Sequence, residues 1–561
     1  MIVLPLSSLL LALAASNIEI KAAAERSIAL IQKVNAQWKN PCFSCHNQTQ
    51  GDQALAAARN HGLAVNEKLA SASSTRTYKR LTDLDGSIRI DELIDPSMSE
   101  GSMLMGAYAA GAKPTLATAS YARHIADNQF PDGHWTVFDT RPPQSSSDIT
   151  GTAVAIRAVS LYLPAAQRQP YIDRARHWLA AVKPADTEEA TYRLLGLHWT
   201  QAPHAVLQSA ARHLAELQHS DGSWAQTPSS TETDAYATAE ALYALATTKS
   251  WPSTSKSFQL GIDWLIKHQA ADGSWHVKSR INTKAPISPP YFESGFPYGH
   301  DQFISCAATA LAVQALAEAL PLVPNPAMPP PIPGFDDSKL AWVNTALFGT
   351  PAELAKIDPN SATPGGTTAL MMAANDAAKI EILLKRGANP KAITREGIDA
   401  LMIAALFNGN SKSLDLLLKA GADPSPKHKV RFDAHALAHA VMTNDAAMVQ
   451  FLISKGADPN RPMRLLGGSP MALLNMAAGY GNPETIRHLV KAGAKVDAPD
   501  DLGMTALSYA ALGFRPAAIQ TLLQLGANPK HKDSFGLIPY DHTKAVAQIP
   551  GESAEILKAR H

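Results

Sequence analysis

The chain has 561 residues, a length that accommodates about three to four domains. Its net charge of +1 excludes the basic excess of a nucleic-acid coat or a polybasic membrane binder. Hydrophobic residues make up 46% and charged residues 18%, a balance that predicts a folded globular chain rather than a disordered one. Three cysteines are too few for a disulfide scaffold.

The N-terminus predicts export. Residues 2–15 form an uninterrupted run without a charged side chain, shorter than the roughly 20 apolar residues that span a membrane. The run contains the small-x-small site Ala12–Ala14, which is typical of signal-peptide cleavage. We therefore expect a signal peptide over residues 1–16, a periplasmic or otherwise exported protein, and no transmembrane segment in the mature chain.

A sequence motif of the form Q-x-x-D-G-x-W, called the phrase below, occurs three times in the first half. The copies are Gln129–Trp135, Gln218–Trp224 and Gln269–Trp275. Each copy ends a stretch of helical periodicity, its Asp-Gly marks a turn, and an Ala-rich apolar helix follows. The unit is therefore an outer helix, a turn and an inner helix. Less regular units are predicted at residues 17–38 with 42–62, 65–81 with 97–111, and 171–182 with 187–197, which gives six helix pairs over residues 17–320.

This phrase resembles the QW repeat of squalene–hopene cyclases. The resemblance implies the (α/α)6 toroid of terpenoid cyclases and prenyltransferases, in which the Gln lies at a helix end and the Trp between neighbouring turns. It also implies a central cavity that can take an apolar small molecule.

The second half begins after a proline-rich linker at residues 321–337. Markers beginning Gly-Ala then recur every 33 to 37 residues, at Gly387, Gly421, Gly456, Gly493 and Gly526. The pattern resembles ankyrin repeats over residues 338–545, followed by a tail at 546–561, and it implies a protein partner. The predicted fold class is therefore all-α, an (α/α)6 toroid followed by an ankyrin-repeat solenoid. We expect the linker to hold the halves apart, so that each folds alone.

The strongest chemical motif is C-x-x-C-H, formed by Cys42, Cys45 and His46. It is the attachment signature of c-type haem, with two thioether thiols and an axial histidine. In a closed toroid the first inner helix neighbours the last, so His300 is a candidate second axial ligand. Methionines on the second inner helix are its rivals: Met98, Met103 and Met105.

Three alternatives to haem remain open at this motif, namely a redox dithiol, a zinc site and a relic of a lost site. For zinc, the residues Cys45, His46 and Cys306 resemble the ligand triad of lanthipeptide cyclases, which share the toroid.

Three aspartates, Asp148, Asp234 and Asp301, precede corresponding inner helices. Helix N-capping is the simpler interpretation, and an acidic, catalytic rim on the cavity is the alternative. Class II terpene cyclases carry D-x-D-D-T-A here, whereas this chain has Thr150 and Gly151 in place of the two later aspartates. A threonine cannot supply the strong acid that protonates an alkene.

The function predicted is an exported, haem-c-bearing binding or electron-transfer protein whose ankyrin surface docks a protein partner. The alternative is an enzyme of the toroid cavity, either terpenoid-cyclase-like or zinc-dependent, which the missing acid motif disfavours. Nucleic acid is not an expected partner. The combination of the two repeat types resembles bacterial proteins with squalene-cyclase-like repeats, a resemblance that implies no particular substrate.

Overall fold

A computed structural model describes most of the chain. The described residues are 15–38, 45–89, 95–138, 141–145, 147–281, 293–332, 340–464, 470–544 and 552–560. Within these ranges, no helix is both long enough and apolar enough to cross a membrane. The apolar run of the predicted signal peptide lies almost wholly outside the described residues.

The first half is built from helices and short helical turns. Its α-helices are α1 (Asn17–Gln37), α2 (Gln50–Asn60), α3 (Glu67–Thr77), α4 (Leu84–Arg89), α5 (Gly101–Ala109), α6 (Leu116–Asp127), α7 (Asp148–Tyr162), α8 (Ala165–Ala181), α9 (Thr187–Trp199), α10 (His204–Glu216), α11 (Ala235–Thr247), α12 (Lys256–Lys267) and α13 (Gln302–Glu318). Shorter turns are π-helical at Cys45–Thr49 and Pro96–Glu100, and 3-10 helical at Lys79–Thr82 and Gly299–Asp301. Helices therefore lie in the stretches predicted from the sequence, with shifted bounds.

The Q-x-x-D-G-x-W phrases hold neighbouring outer helices together. In the first copy, Gln129 Nε2 donates to the carbonyl oxygens of Gly133 at 2.9 Å and of Tyr171, on α8, at 3.0 Å. The buried Trp135 ring donates its Nε1–H to a carbonyl near the end of α6 at 2.6 Å. Gly133 has φ of 108° and a Cβ there would collide with the backbone of Arg174, so the close approach to α8 requires glycine.

The third copy of the phrase packs on the first helix of the chain. Gln269 Nε2 donates to the Ala23 carbonyl oxygen and to Ser27 Oγ, both at 2.9 Å. Ser27 Oγ in turn donates to the Gly273 carbonyl oxygen at 2.6 Å. These bonds join the beginning of the first half to its last repeat unit.

The inner helices contact one another in succession. Helix α2 contacts α5, α5 contacts α7, α7 contacts α9, α9 contacts α11, and α13 contacts both α11 and α2. Helices α1, α6, α8, α10 and α12 each pack against at least one of these inner helices. Small and apolar side chains such as those of α13 are buried almost throughout, because inner helices are covered on more than one side.

The second half consists of stacked helix pairs. Its helices are α14 (Ala341–Phe348), α15 (Pro351–Leu354), α16 (Ala369–Met372), α17 (Ala377–Lys385), α18 (Ala400–Ala404), α19 (Ser411–Lys419), α20 (Ala436–Met442), α21 (Ala446–Ser454), α22 (Leu473–Tyr480), α23 (Pro483–Lys491), α24 (Ala506–Leu512), α25 (Pro516–Gln524), α26 (Pro539–His542) and α27 (Glu552–Lys558). A 3-10 turn spans Arg431–Asp433, and the antiparallel strands β1 (Met463–Arg464) and β2 (Pro470–Met471) form a small hairpin. The predicted marker Gly387 has φ of 87°, a left-handed conformation that ends α17.

The two halves share a core, contrary to the expectation that the linker holds them apart. Leu84 and Ile88 of α4, and Leu116 at the start of α6, are buried within the hydrophobic core of the second half. In the opposite direction, Leu406 of the second half is buried in a core cluster of the first. Apolar side chains on α4 and α6 are therefore covered by the solenoid rather than by their own half.

The proline-rich segment does not act as a spacer. Its Val323 N–H donates to the Asn60 carbonyl oxygen at 2.9 Å, and Pro329 lies against Gly111. The described part of the segment, residues 321–332, therefore follows the surface of the first half, on which the solenoid is also packed.

Candidate functional site

The haem motif lies at the start of the first inner helix. Cys42 is outside the described residues, and Cys45 and His46 open the π-helical turn that precedes α2. The side chains of these two residues are also outside the description. The turn itself contacts α5 and α13, so the first and last inner helices are neighbours, as expected. Haem attachment remains a prediction.

The candidate second ligands lie on different elements. His300 is half-buried in the 3-10 turn before α13, and its Nδ1 is 4.0 Å from Asp301 Oδ1. Met98 and Met105 pack in one small cluster, whereas Met103 is buried in a different cluster. Met98 lies in the π-helical turn before α5, and Met103 and Met105 of α5 pack in different clusters, so the three are not equivalent candidates.

Cys306 occupies an apolar position on α13. It is buried beside Val34 and Phe296, and desolvation raises the pKa of its thiol. Zinc is bound by the thiolate, so this environment disfavours Cys306 as a ligand. Across the residues that the structure describes, no group of three or more His, Cys, Asp or Glu side chains is arranged to hold a metal ion. The zinc set with Cys45 and His46 includes undescribed side chains and remains a prediction.

The three aligned aspartates have three different environments. Asp234 is the N-cap of α11 and accepts a backbone N–H three residues on at 3.0 Å. Asp148 lies one residue inside α7, which Ser147 caps. Asp301 accepts no helical N–H, and its Oδ2 is 2.9 Å from His276 Nε2. The capping interpretation is therefore right for Asp234 and wrong for the other two.

Two buried glutamates form a pair inside the first half. Glu188 lies in the first turn of α9 and Glu240 midway along α11, and each side chain is 1% exposed. Their carboxyl groups are hydrogen-bonded to each other. Tyr236 Oη donates to Glu188 Oε2 at 2.7 Å, and Thr150 Oγ1 donates to Glu188 Oε1 at 3.4 Å. Three inner helices thus converge on this pair.

Burial makes this pair hold protons near neutral pH. Desolvation raises the pKa of Glu188 to about 8. The pKa of Glu240 is raised well above its usual range, first by desolvation and then by the adjacent Glu188. We therefore assign the Glu240 O–H as donor and Glu188 as acceptor. Two neighbouring carboxyl groups, those of Asp186 and Asp234, face Arg280 and also have raised pKa values because they are desolvated.

The pair does not replace the missing cyclase acid. Thr150, at the position of that acid, contacts Glu188, but a carboxyl group with a raised pKa is a weak acid. Alkene protonation needs a strong one. Shared protons at a buried carboxyl pair instead suit proton exchange or cation binding near neutral pH.

This pair was not predicted from the sequence, although one signal was present. Glu240 is the only charged residue of α11, whose sequence is otherwise apolar or small apart from its threonines and tyrosines. A charge on a helix that is covered on several sides must be buried with it. Glu188 gave no such signal, because it stands beside Glu189 in a first helical turn, where acidic residues are common.

The ankyrin half contacts the first half through the C-terminal ends of α16 and α18, which are the first helices of two of its helix pairs. The buried Arg123 of α6 donates to the Met372 carbonyl oxygen at 2.6 Å, and its guanidinium carbon lies 5.4 Å from the centroid of the Phe407 ring. Asn128 Nδ2 donates to the Leu406 carbonyl oxygen at 3.0 Å. We call the C-terminal ends of α16 and α18, together with the turns that precede these two helices, the docking face.

The turns of the docking face make a second set of contacts. Asp85 Oδ1 accepts hydrogen bonds from the hydroxyl groups of Thr363 and Thr367. Arg89 forms an ion pair with Glu396 at 3.1 Å, and only 5% of the arginine side chain is exposed. Polar contacts thus flank the apolar contacts of α4 and α6 with the solenoid.

Comparison with known proteins supports the assignment of the second half. Residues 345–428 and 437–533 match the family model for ankyrin repeats, in three copies. The chain is 39% identical over 99 residues to the human SH3 and multiple ankyrin repeat domains protein 2, covering 18% of this chain and 5% of that protein. It is 30% identical over 171 residues to an L-asparaginase of Dirofilaria immitis, covering 30% of this chain and 28% of that enzyme.

A similar solved structure is the ankyrin repeat domain of human ASB11, with a TM-score of 0.35 and 22% identity, covering 39% of this chain and 97% of that domain. The chain spans less than a third of the length of each of the two curated relatives named above. The match to the family model shows that the second half contains ankyrin repeats, as predicted, and stacked repeats of this kind suggest a protein-docking surface.

Proposed function

We propose that the protein is a binding protein in which the ankyrin half clamps a ring of helices formed by its own first half. The observation that carries the proposal is the buried Arg123 of the first half, whose guanidinium reaches the docking face of the solenoid. A surface that is used inside the chain acts first as a support for the first half. A separate protein partner would bind the helices and turns that this contact leaves exposed.

The ring is the (α/α)6 toroid that the QW-like phrases imply. Two observations support it: the inner helices contact one another in a succession that returns to α2, and the third phrase packs on α1. A toroid of this kind encloses an interior that is separate from the docking face, so one chain can bind an internal ligand and an external protein.

Co-expression of the two halves as separate polypeptides tests the clamp. We expect residues 15–332 to be soluble only together with residues 340–560, and the two to copurify in equimolar amounts. The reason is that Leu84, Ile88 and Leu116 lose their cover when the halves are separated. The proposal fails if both polypeptides are soluble, folded and do not associate, as the spacer interpretation of the linker requires.

Covalent haem and export form the finer part of the proposal. The donor set of Cys42, Cys45 and His46, two thiols and an imidazole, fits attachment of haem c, and the N-terminal run fits the export that such attachment needs. When bound, the haem would supply electron transfer, and His46 would hold its iron.

Visible absorption decides this part. Protein made in the periplasm with cytochrome c maturation factors should be red and keep its colour after acid–acetone extraction, whereas Cys42→Ser with Cys45→Ser should lose it. If the wild-type protein is colourless and contains stoichiometric zinc, the motif is a zinc site and the haem interpretation is wrong. Cyclic products from squalene would instead support the cavity enzyme, against our expectation from Thr150 and Gly151.

A further inference from the structure

A groove with a volume of about 870 Å³ lies along the outward face of α3 in the first half. Residues of α3 and of the 3-10 turn that follows it line the groove at positions i, i+3, i+4, i+7, i+8 and i+11 counted from Lys68, so they share one face of this helical stretch. Residues on the other side of α3, such as Ala70 and Ser74, are buried. Pro330 of the proline-rich segment also lines the groove. Two parts of the chain that are distant in sequence therefore form it.

Three cationic side chains line the groove. Lys68 lies near the start of α3, Arg76 near its end and Lys79 at the start of the 3-10 turn, and all three residues are exposed. Among the residues that the structure describes, neither lysine forms an ion pair. Arg76 Nη2 donates to the Asn35 carbonyl oxygen at 2.6 Å, a bond that orients the guanidinium group while its other N–H donors can still bind a ligand.

The acidic residue that lines the groove, Glu67, is already paired. Its two carboxylate oxygens accept hydrogen bonds from Arg59 Nε at 2.9 Å and from Arg59 Nη2 at 2.8 Å. A bidentate pair of this kind neutralises the carboxylate. The charge that remains in the groove is positive, although the whole chain has a net charge of only +1. The groove is therefore electrostatically complementary to an anionic ligand.

The neutral side chains of the groove suit a peptide ligand. Ser71 and Thr75 lie between the cationic positions, and their hydroxyl groups can donate hydrogen bonds to a peptide backbone or accept them. Ala72 and Pro330 supply apolar surface, against which apolar side chains of a peptide can pack. No aromatic side chain is among the described residues that line the groove, so it lacks the stacking surface of a site for single-stranded nucleic acid.

The spacing of the cations indicates the spacing of the anionic groups that they would bind. Lys68 and Arg76 are eight residues apart on α3, which corresponds to a rise of about 12 Å. In an extended chain, side chains four residues apart are on the same side and about 13 Å apart. We propose that this groove binds an extended acidic segment of a partner protein, with carboxylate groups four residues apart, one at Lys68 and the next at Arg76 and Lys79. The proposal goes beyond the clamp between the halves and depends neither on it nor on haem attachment.

Fluorescence anisotropy on the full chain tests the proposal with three labelled, amidated peptides of one design. The acidic peptide, EAPAEAPAE, has glutamate at every fourth position and proline to keep it extended. The other two peptides have glutamine or lysine in place of every glutamate. We expect the acidic peptide to bind at least about tenfold more tightly than the glutamine peptide, and the lysine peptide not to bind. The affinity of the acidic peptide should fall as the salt concentration rises, because exposed charges are screened.

Substitutions in the groove assign the site. Lys68→Glu with Lys79→Glu should weaken the acidic peptide about tenfold or more, because two attractive charges become repulsive. The matched control is Lys256→Glu with Lys267→Glu on the outer helix α12, where two exposed lysines have the same spacing, and it should leave the affinity unchanged. Ala72→Gln, which fills part of the groove without changing its charge, should also weaken the acidic peptide.

The proposal is wrong if the glutamate and glutamine peptides bind equally or not at all, or if the two double variants have the same effect, in protein whose circular dichroism and thermal unfolding match the wild type. It is also wrong if an oligothymidylate of four nucleotides, whose three phosphates match the charge of the acidic peptide, binds this groove more tightly than that peptide. The site would then recognise a phosphate backbone rather than a protein. Failure of the clamp is measured separately, because it would appear as non-associating halves in the co-expression experiment.

Discussion

The two halves of the chain bury different kinds of groups. In the solenoid, the carboxyl groups of residues such as Asp376 and Asp445 lie at helix starts and accept backbone N–H groups. The buried rings of His435 and His439 are each hydrogen-bonded to a backbone carbonyl oxygen. In the first half, Glu240 is buried midway along an inner helix, against Glu188. A stack needs only surfaces that fit each other, whereas a ring encloses an interior in which polar groups can act away from water. The first half thus pairs two buried carboxyl groups with each other, whereas the solenoid satisfies buried polar groups such as the His439 ring with the backbone.

Substitution in the shared core is the strongest test of whether the two halves are packed together. Ile88 of α4 is 1% exposed within the core of the solenoid, so Ile88→Asp would bury an unpaired charge there. We expect a loss of about 4 kcal/mol or more in the free energy of unfolding, measured by chemical denaturation. Ile18→Asp, at a position that is 81% exposed on α1, is the control and should change stability by no more than about 0.5 kcal/mol. Similar small effects of both would mean that the halves are not packed together.

Arg123 tests the polar part of the same contact. Arg123→Ala removes a buried donor from the Met372 carbonyl oxygen and a cation from the face of the Phe407 ring. We expect a loss of about 3 kcal/mol, because the carbonyl group stays buried without its partner. Arg487→Ala, which removes an exposed ion pair with Glu484, should cost at most about 0.5 kcal/mol. If Arg123→Ala is equally mild, the guanidinium is not a structural part of the docking face.

Sequence reasoning succeeded where the signal is local and repeated. Turn glycines such as Gly387 and phrases such as Gln129–Trp135 predict helix ends and helix pairing, because each copy satisfies its own hydrogen bonds nearby. The contact between the halves depends on residues far apart in the chain, such as Asp85 and Thr363, and no periodicity links them. The carboxyl pair was missed for the same reason, since Glu188 and Glu240 become partners only when α9 and α11 are side by side.

The halves should respond to pH in opposite directions. Burial raises the pKa of Glu188 to about 8 and that of Asp52 to about 7, so the folded first half keeps protons that the unfolded chain releases above about pH 4.5. Its stability should fall as the pH rises from about 5 to about 8. In the second half, burial lowers the pKa of His435 and His439 to about 4. Their contribution should be lost as the pH falls from about 6.5 towards 4.

Glu240→Gln separates these two contributions. The amide can donate to Glu188 and removes one buried acid, so the variant should be more stable than the wild type at pH 8 by about 2 kcal/mol. Its stability should depend less on pH above neutrality and remain unchanged on the acid side, where the histidines of the solenoid titrate. Urea titrations at several pH values measure both slopes. An unaltered alkaline slope would show that the carboxyl pair does not hold the extra proton.

The smallest effect distinguishes two adjacent residues, Ser147 and Asp148, at the start of the inner helix α7. Ser147 caps α7 and accepts the Thr150 N–H at 3.2 Å, whereas Asp148, the residue aligned with the cyclase motif, lies inside the helix. Ser147→Ala should therefore cost about 1 kcal/mol, and Asp148→Asn less than about 0.5 kcal/mol, because the amide oxygen can still accept the Val137 N–H. Thermal unfolding of both variants measures the difference. The reverse order would make Asp148 the cap, as Asp376 and Asp445 are at helix starts of the solenoid.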